Sequence, residues 1–162
     1  MRMHTVTASL QPARVGDHGA VTELLRQAGL PVADLEASAM PQFLLAVDGG
    51  RLIGAIAVEP HGSDGLLRSL VVEPDWRGHG VGDALVQAAE EGARARGLRS
   101  LWLLTTDAAE YFTRHGYAAM DRTRAPAALQ ACAQFQSLCP ASAACLHKPL
   151  DGFQPLVPLT TR

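Results

Sequence analysis

The chain has 162 residues, 48% of them hydrophobic and 19% charged, and a net charge of −2. That length suits one domain with its own core, and that balance excludes a disordered chain and the strongly basic footprint of a general nucleic-acid binder. No apolar run approaches the ~20 residues of a membrane span, and Met1 to Pro12 lacks the apolar segment of a secretion signal, so a cytoplasmic protein with no membrane partner is expected.

Thr5 to Leu10 is expected as a first strand. Asp17 is placed to cap a helix whose apolar positions Val21, Leu24, Leu25 and Ala28 keep helical spacing. Gly29-Leu30-Pro31 ends that helix. Val32 to Met40 is expected as a second short helix, stopped before Pro41. Phe43 to Val47 and Leu52 to Val58 read as strands joined by the turn Asp48-Gly49-Gly50. After a second turn, His61 to Gly65, Leu66 to Val72 continues an antiparallel meander.

Gly80 to Arg96 is the clearest helix, with Val81, Ala84, Leu85, Ala88, Ala89 and Gly92 on one stripe. Gly97 ends it, and Leu101 to Leu104 follows as a buried strand. A strand, a crossover helix and a strand predict that Leu66–Val72 and Leu101–Leu104 run parallel. Ala108 to His115 is expected as a short helix, Tyr117 to Met120 as a strand, Pro126 to Gln136 as a helix with Pro126 near its first position, and Ala143 to Leu146 as a last strand. The domain is expected over residues 1–150, with 151–162 as an arm or tail.

Leu67-Arg-Ser-Leu-Val-Val-Glu-Pro-Asp-Trp-Arg-Gly-His-Gly-Val-Gly82 brings a strand, a turn, three alternating glycines and a helix start together. Backbone N–H groups and a helix N-terminus around one small volume suit a phosphate-bearing ligand. A P-loop needs a Gly-Lys-Ser/Thr end, which is missing. A dinucleotide fingerprint started at Gly78 or Gly80 meets Asp83 or Leu85 where its last glycine belongs. What remains is Arg77-x-x-Gly80-x-Gly82.

On these residues the chain resembles the GNAT superfamily of acyl-CoA-dependent N-acetyltransferases, whose signature is Gln/Arg-x-x-Gly-x-Gly/Ala. The order of strand, Val-Glu-Pro turn, glycine loop, helix, strand, short helix and Gly116-Tyr117 resembles the family too, over roughly residues 10 to 150. The resemblance implies an α/β fold with a mixed sheet, an antiparallel meander, a parallel strand pair joined by a crossover helix, and helices on both faces. It implies acetyl-CoA as co-substrate, no metal, a small-molecule amine acceptor and, as in many relatives, a homodimer as an option. Arg77, Gly78, His79, Gly80, Val81 and Gly82 would hold the diphosphate. The glycines let the backbone come close, and the helix dipole adds about 0.3–1 kcal/mol. Arg77 alternatively ties the loop to the domain. Leu70, Val71 and Val72 would pair with the pantetheine, and a backbone N–H at Leu70 would polarise the acetyl carbonyl.

The reaction the resemblance implies is direct attack by a neutral amine on the thioester, which needs a proton acceptor and often an acid for the leaving thiolate. The position of the acid Tyr found in many members is here Phe112, which then serves as a cofactor contact. Tyr111 precedes it, and one residue along a helix is a rotation of about 100°. Tyr111 is thus either an acid or a packing residue. Glu36, Glu59 and Glu73 are candidate bases, each otherwise a solvated surface carboxylate, and a water chain serves equally well.

Arg68 interrupts an apolar strand, and a buried guanidinium demands an anionic partner. It is either a clamp on an acid group of the substrate or part of an internal salt bridge, to Glu59 or Glu73. Leu66 to Leu70, Leu103-Leu-Thr-Thr106 and Ser137 to Ala143 look like the arsenic-resistance N-acetyltransferases, which implies an amino-acid-like acceptor. Thr105 would then meet the cofactor, and Thr106 and Ser142 the substrate; as strand-end or loop residues they need no such role. Cys132, Cys139 and Cys145 form no disulfide framework. They offer an alternative from another class, a non-catalytic acyl-CoA- or metalloid-binding module, against the ordinary reading of cysteine as a small hydrophobe.

Overall fold

Short apolar runs divided by glycine turns become strands, and the two amphipathic stretches with the clearest 3.6-residue period become the longest helices. The structure, a computed structural model, describes residues 8–138 and 142–150. In chain order these are β1 (Ser9–Pro12), α1 (His18–Gln27), β2 (Phe43–Asp48), β3 (Arg51–His61), β4 (Asp64–Val72), α2 (Val81–Ala95), β5 (Ser100–Thr105), α3 (Ala109–Arg114), β6 (Ala118–Ala119), α4 (Ala127–Gln130) and β7 (Ala144–Pro149). The strands hydrogen-bond in the order β1-β2-β3-β4-β5-β7-β6. The sheet is mixed, as expected: β1/β2, β2/β3, β5/β7 and β6/β7 are antiparallel, and β4/β5 is parallel. Among the described residues no helix is long and apolar enough to cross a membrane.

The chain forms two compact units, residues 1–59 with 67–89, and residues 60–66 with 90–162. In the first, Val21, Leu24 and Leu25 of α1 pack with Met40, Phe43, Leu45, Ala55, Ala57 and Val71. Gly54 lies in the middle of β3. A Cβ there would stand 3.1 Å from the Val71 carbonyl oxygen, 3.1 Å from Leu85 Cδ1 and 3.3 Å from Val81 Cγ1. The missing side chain therefore lets α2 settle close on the strand. Gly54→Ala is expected to cost about 1–3 kcal/mol by overpacking, measured as a fall in the urea midpoint at unchanged slope.

In the second unit the parallel ladder joins Asp64, Gly65 and Leu66 to Ser100, Leu101 and Trp102. Leu66, Trp102, Ala125, Leu129 and Cys145 make a buried cluster with Met120, Cys132 and Phe135 around it. Tyr117 is fully buried, and its hydroxyl donates to Glu90 at 2.9 Å. Lys148 Nζ donates to both Glu90 oxygens, at 3.0 and 3.1 Å, and to the His115 carbonyl at 2.8 Å. Burial and the Glu90 carboxylate push the Tyr117 phenol up, so it stays a proton donor within this network. The turn after α3 is thereby tied to α2 and β7.

Several expectations are corrected. Val32 to Met40 is not a helix; single turns close at Leu35 and Ala39, and a 3-10 segment, Ala37–Gln42, contains Pro41. Pro41 is the fifth of its six residues, so it removes one 3-10 hydrogen bond in the last turn of a short segment and interrupts no long helix. Asp17 does not cap α1 through its side chain; its carboxylate accepts the Arg14 N–H at 2.7 Å and closes the preceding 3-10 turn. Pro126 to Gln136 is not one helix. After α4, Cys132 N–H closes on Leu129, and a π-type turn spans Gln134–Leu138. Gln130 Nε2 donates to the Thr123 and Ala125 carbonyls, at 3.0 and 2.9 Å, which secures the short helix to the preceding turn. β1 starts four residues later than the expected strand, and the first part of that expectation lies outside the described residues, as do Cys139 and residues 151–162.

Candidate active site

In the first unit the site is built on the second half of β4 and the loop that follows it. Arg68 is buried in the middle of β4, with only 2% of its side chain exposed. It has its anionic partners within the chain. Nη1 donates to Asp34 Oδ2 at 2.5 Å and to Glu59 Oε2 at 2.8 Å, and Nη2 donates to Asp34 Oδ1 at 2.8 Å. Burial alone would raise the Asp34 carboxyl, but the Arg68 hydrogen bonds and charge hold it below its ordinary value. Glu59 is one of the two expected internal partners; Glu73 instead pairs with Arg51. Neither glutamate is a freely solvated carboxylate, and Glu36 is exposed.

Ser69 has φ +62° inside this strand. A non-glycine residue there carries local strain of about 1–2 kcal/mol. Arg68 Nε donates to the Ser69 hydroxyl at 3.1 Å, so the buried arginine also holds the kink. Leu70 comes next, half-buried, followed by buried Val71 and half-buried Val72. The kink thus changes the direction of the backbone immediately before Leu70.

Glu73 N–H returns to the Ile53 carbonyl at 2.8 Å, and a 3-10 turn over Pro74–Trp76 leads into the glycines. Trp76 is buried and meets His79 edge-on, with ring centroids 6.2 Å apart. Gly78 and Gly80 have φ +81° and +84°, and a Cβ on either would meet nothing of the chain within 4 Å. Their backbone therefore requires glycine by conformation, while the space beside it is open for a ligand. Gly80 carbonyl accepts the Ala84 N–H and starts α2, whose first N–H groups, around Val81 and Gly82, have no partner within the helix. Arg77 Nε donates to the Val72 carbonyl at 3.1 Å, so it ties the loop back to β4 and keeps an exposed side chain.

In the second unit, Thr105 ends β5 and its hydroxyl accepts the Ala108 N–H at 3.0 Å, fixing the entry into α3. Thr106 and Ser142 are exposed. Phe112 is buried against Tyr117, ring centroids 5.5 Å apart. Tyr111 is half-buried and packs on His115 at 4.6 Å. Cys132 and Cys145 both belong to the apolar cluster, and burial raises the Cys145 thiol, which keeps it from the thiolate form a soft metal needs. Among the described residues no His, Cys, Asp and Glu gather to hold a metal ion.

Asp34, Glu90, Lys148 and Arg122 were not singled out from sequence. Asp34 lies 34 positions from Arg68 in the turn from Val32 to Leu35, and no local pattern marks such a partner.

The description acetyltransferase (GNAT) domain matches residues 40–119. Among curated proteins, the chain is 34% identical over 128 residues to an amino-acid acetyltransferase of Ectopseudomonas mendocina (strain ymp), covering 74% of this chain and 30% of that one. A protein of the same description from Azotobacter vinelandii is 34% identical over 127 residues, covering 74% and 29%. The chain thus spans about 30% of the length of these curated relatives. Among solved structures, N-acetylglutamate synthase from Neisseria gonorrhoeae, complexed with coenzyme A and N-acetyl-glutamate, superimposes with TM-score 0.79 at 20% identity over 91% of this chain and 36% of that chain. A Mycobacterium tuberculosis protein in complex with CoA gives TM-score 0.75 at 22% identity, over 87% and 98%. Strand order, glycine loop and family match agree: residues 40–119 are similar to the acetyltransferase (GNAT) domain, and the fold is the one these solved structures share.

Proposed function

We propose that the chain transfers an acetyl group from acetyl-CoA to the amine of a small amino-acid-like acceptor. The observation that carries this reading is the glycine loop ahead of α2, where positive φ at Gly78 and Gly80 goes with open space beside the backbone. A diphosphate fits such a cradle, since N–H groups from Gly78 to Gly82 and the helix N-terminus present partial positive charge. The amino-acid acetyltransferases matched at about one-third identity support the acceptor class.

Acetyl-CoA supplies an activated acyl group on a thioester when bound. Leu70, Val71 and Val72 offer backbone groups to its pantetheine arm, and the Leu70 N–H is assigned to the acetyl oxygen. The amine attacks the thioester carbonyl directly, the C–S bond breaks, and the amine proton passes to water. A thiol with pKa near 8.5 leaves as thiolate at a cost of only about 2 kcal/mol at neutral pH. Strong acid catalysis is therefore unnecessary, and the Tyr111 phenol on α3 is the donor we assign. Phe112, buried and aprotic, serves the wall of that element. The segments similar to arsenic-resistance enzymes extend the acceptor class to arsenical and phosphinic amino acids.

The test is thiol release from acetyl-CoA across a panel of amines that includes amino acids and these analogues. Release with amino-acid acceptors, above the rate of hydrolysis, is the expected result. Absence of acetyl-CoA binding by calorimetry removes the proposal; binding without turnover across the panel favours a non-catalytic acyl-CoA-binding module.

A further inference from the structure

Strand register builds a recess within the second unit. Ser100 pairs with Asp64 and Pro149, and Trp102 pairs with Leu66 and His147. Residues two apart on a strand share a face, so both rows lie on one face of the sheet. The segment after β6 covers only the inner row, where Ala125 and Leu129 pack with Leu66 and Trp102. The outer row stays open. Ser100 and Trp102 are buried, Asp64 and His147 half-buried, and Arg99 and Arg124 exposed. The first four make the floor of a recess of about 280 Å³, and the two arginines stand at its rim.

Both arginines are held there by their backbones. The Arg99 N–H donates to the Ser63 carbonyl at 2.7 Å, and its carbonyl accepts the Leu150 N–H at 2.8 Å; the Arg124 N–H donates to the Asp121 carbonyl at 2.9 Å. On the floor, the Ser100 hydroxyl donates to Asp64 Oδ1 at 2.5 Å, so that oxygen is engaged. Among the described residues, neither guanidinium nor the His147 imidazole has a hydrogen-bond or salt-bridge partner. The Arg124 charge acts on Asp121, but that carboxylate accepts the Thr123 N–H at 2.9 Å and the Thr123 hydroxyl at 2.8 Å. Arg122 differs from Arg124: its guanidinium stands 5.8 Å from the Phe135 ring centroid, and its Nε and Nη2 are covered by the chain.

Two guanidiniums at one rim outweigh the single carboxylate, and their planar forks match anions that present two oxygens. A neutral imidazole adds one N–H donor. At about 30 Å³ per water the recess holds roughly nine waters, which suits a small organic anion and is too small for a nucleotide. Ser100 and Thr105 bound β5, about 16 Å apart at ~3.3 Å per residue, so the recess lies at the end of β5 remote from the start of α3.

We infer that this recess is a second ligand site, which binds a small dianion, a phosphate ester or a dicarboxylate, through Arg99, Arg124 and the His147 imidazole. It shares no residue with the glycine loop and does not depend on the acetyltransferase reading.

The experiment titrates the full chain by calorimetry at about pH 8, where a phosphate ester is doubly charged. Phenyl phosphate and malonate are the dianion probes, and acetate is the monoanion. Trp102 emission in Trp76→Phe gives a second readout at the recess itself. Saturable binding of phenyl phosphate or malonate is expected, the tighter of the two naming the head group, with acetate weaker by about tenfold or more. Arg99→Gln and Arg124→Gln are each expected to weaken the dianion about tenfold. Arg96→Gln, which removes an exposed arginine outside the recess, is expected to bind as wild type does. Ligand-free melting temperatures of the three variants are expected within about 2 °C of wild type, since exposed substitutions change stability little. The inference is overturned by acetate binding as tightly as the dianions, by equal weakening in Arg96→Gln, or by wild-type affinity in Arg99→Gln and Arg124→Gln. Displacement of the bound dianion by CoA overturns it too, by assigning the anion to the glycine loop, as does the absence of saturable binding. Acetyl transfer is read separately, by thiol release, and stands or falls apart from these results.

Discussion

Arg68→Met is expected to lower stability by about 3 kcal/mol, because breaking a buried ion pair from one side strands the charges left behind. The two carboxylates keep 22% and 19% of their side chains exposed, so water relieves part of the repulsion and the loss stays at the lower end of that class. For a domain of this size the shift corresponds to roughly 6–12 °C in melting temperature. The pH dependence gives an independent check. The Asp34 carboxyl is held below its ordinary 3.8 in the folded chain, so its contribution is complete at neutral pH and is lost as pH falls through 3.8 toward the folded value. The gap between wild type and Arg68→Met should therefore narrow below about pH 4. A gap that is constant with pH would show that the Asp34–Arg68 pair is not its source. Because Arg68 also donates to the hydroxyl of Ser69 in its strained conformation, the variant should also lose the acetyl transfer proposed above, even well below its melting temperature.

Gly80→Ala is expected to weaken CoA binding at least tenfold, about 1.4 kcal/mol, while costing about 1–2 kcal/mol of stability from its positive φ. A matched control separates the two effects. Gly50, in the β2–β3 turn, has φ +81° and the same open surroundings as Gly80 at +84°. Gly50→Ala should therefore carry similar strain and bind CoA as wild type does, with calorimetry giving affinity and thermal unfolding giving strain. Equal affinity losses in both variants would mean that the loop is only a turn capping α2.

The parts of this molecule legible from sequence are those governed by local rules. The stripe of Val81, Leu85 and Ala89 marks a helix because burial along one face repeats every 3.6 residues. Glycines 49 and 50 mark a hairpin because the turn needs positive φ. The break at residues 131–133 is invisible to such rules, since Ala, Cys and Ala there give no stop signal. Arg68 could be recognised as needing an anion, but Asp34 could not be named as that anion, because the pairing is a product of the tertiary fold. Ser69 gives even less warning: left-handed serine in a strand is imposed by its neighbours. Arg122 differs again, because charge in a polar loop is ordinary until burial shows that its donors lack acceptors.

The two tryptophans divide between the two units, and each sits beside an imidazole. Trp76 faces His79 at 6.2 Å in the first unit, and Trp102 lies 4.4 Å from His147 in the second. The chain therefore carries one tryptophan per unit, and Trp76→Phe or Trp102→Phe leaves tryptophan emission from a single one. Burial holds the His147 imidazole below its ordinary 6.5, against the opposing pull of Asp64. Quenching of Trp102 by a charged ring thus begins at a more acidic pH than a solvent-exposed histidine would produce. Light from the second unit then reports its unfolding at neutral pH without interference from protonation.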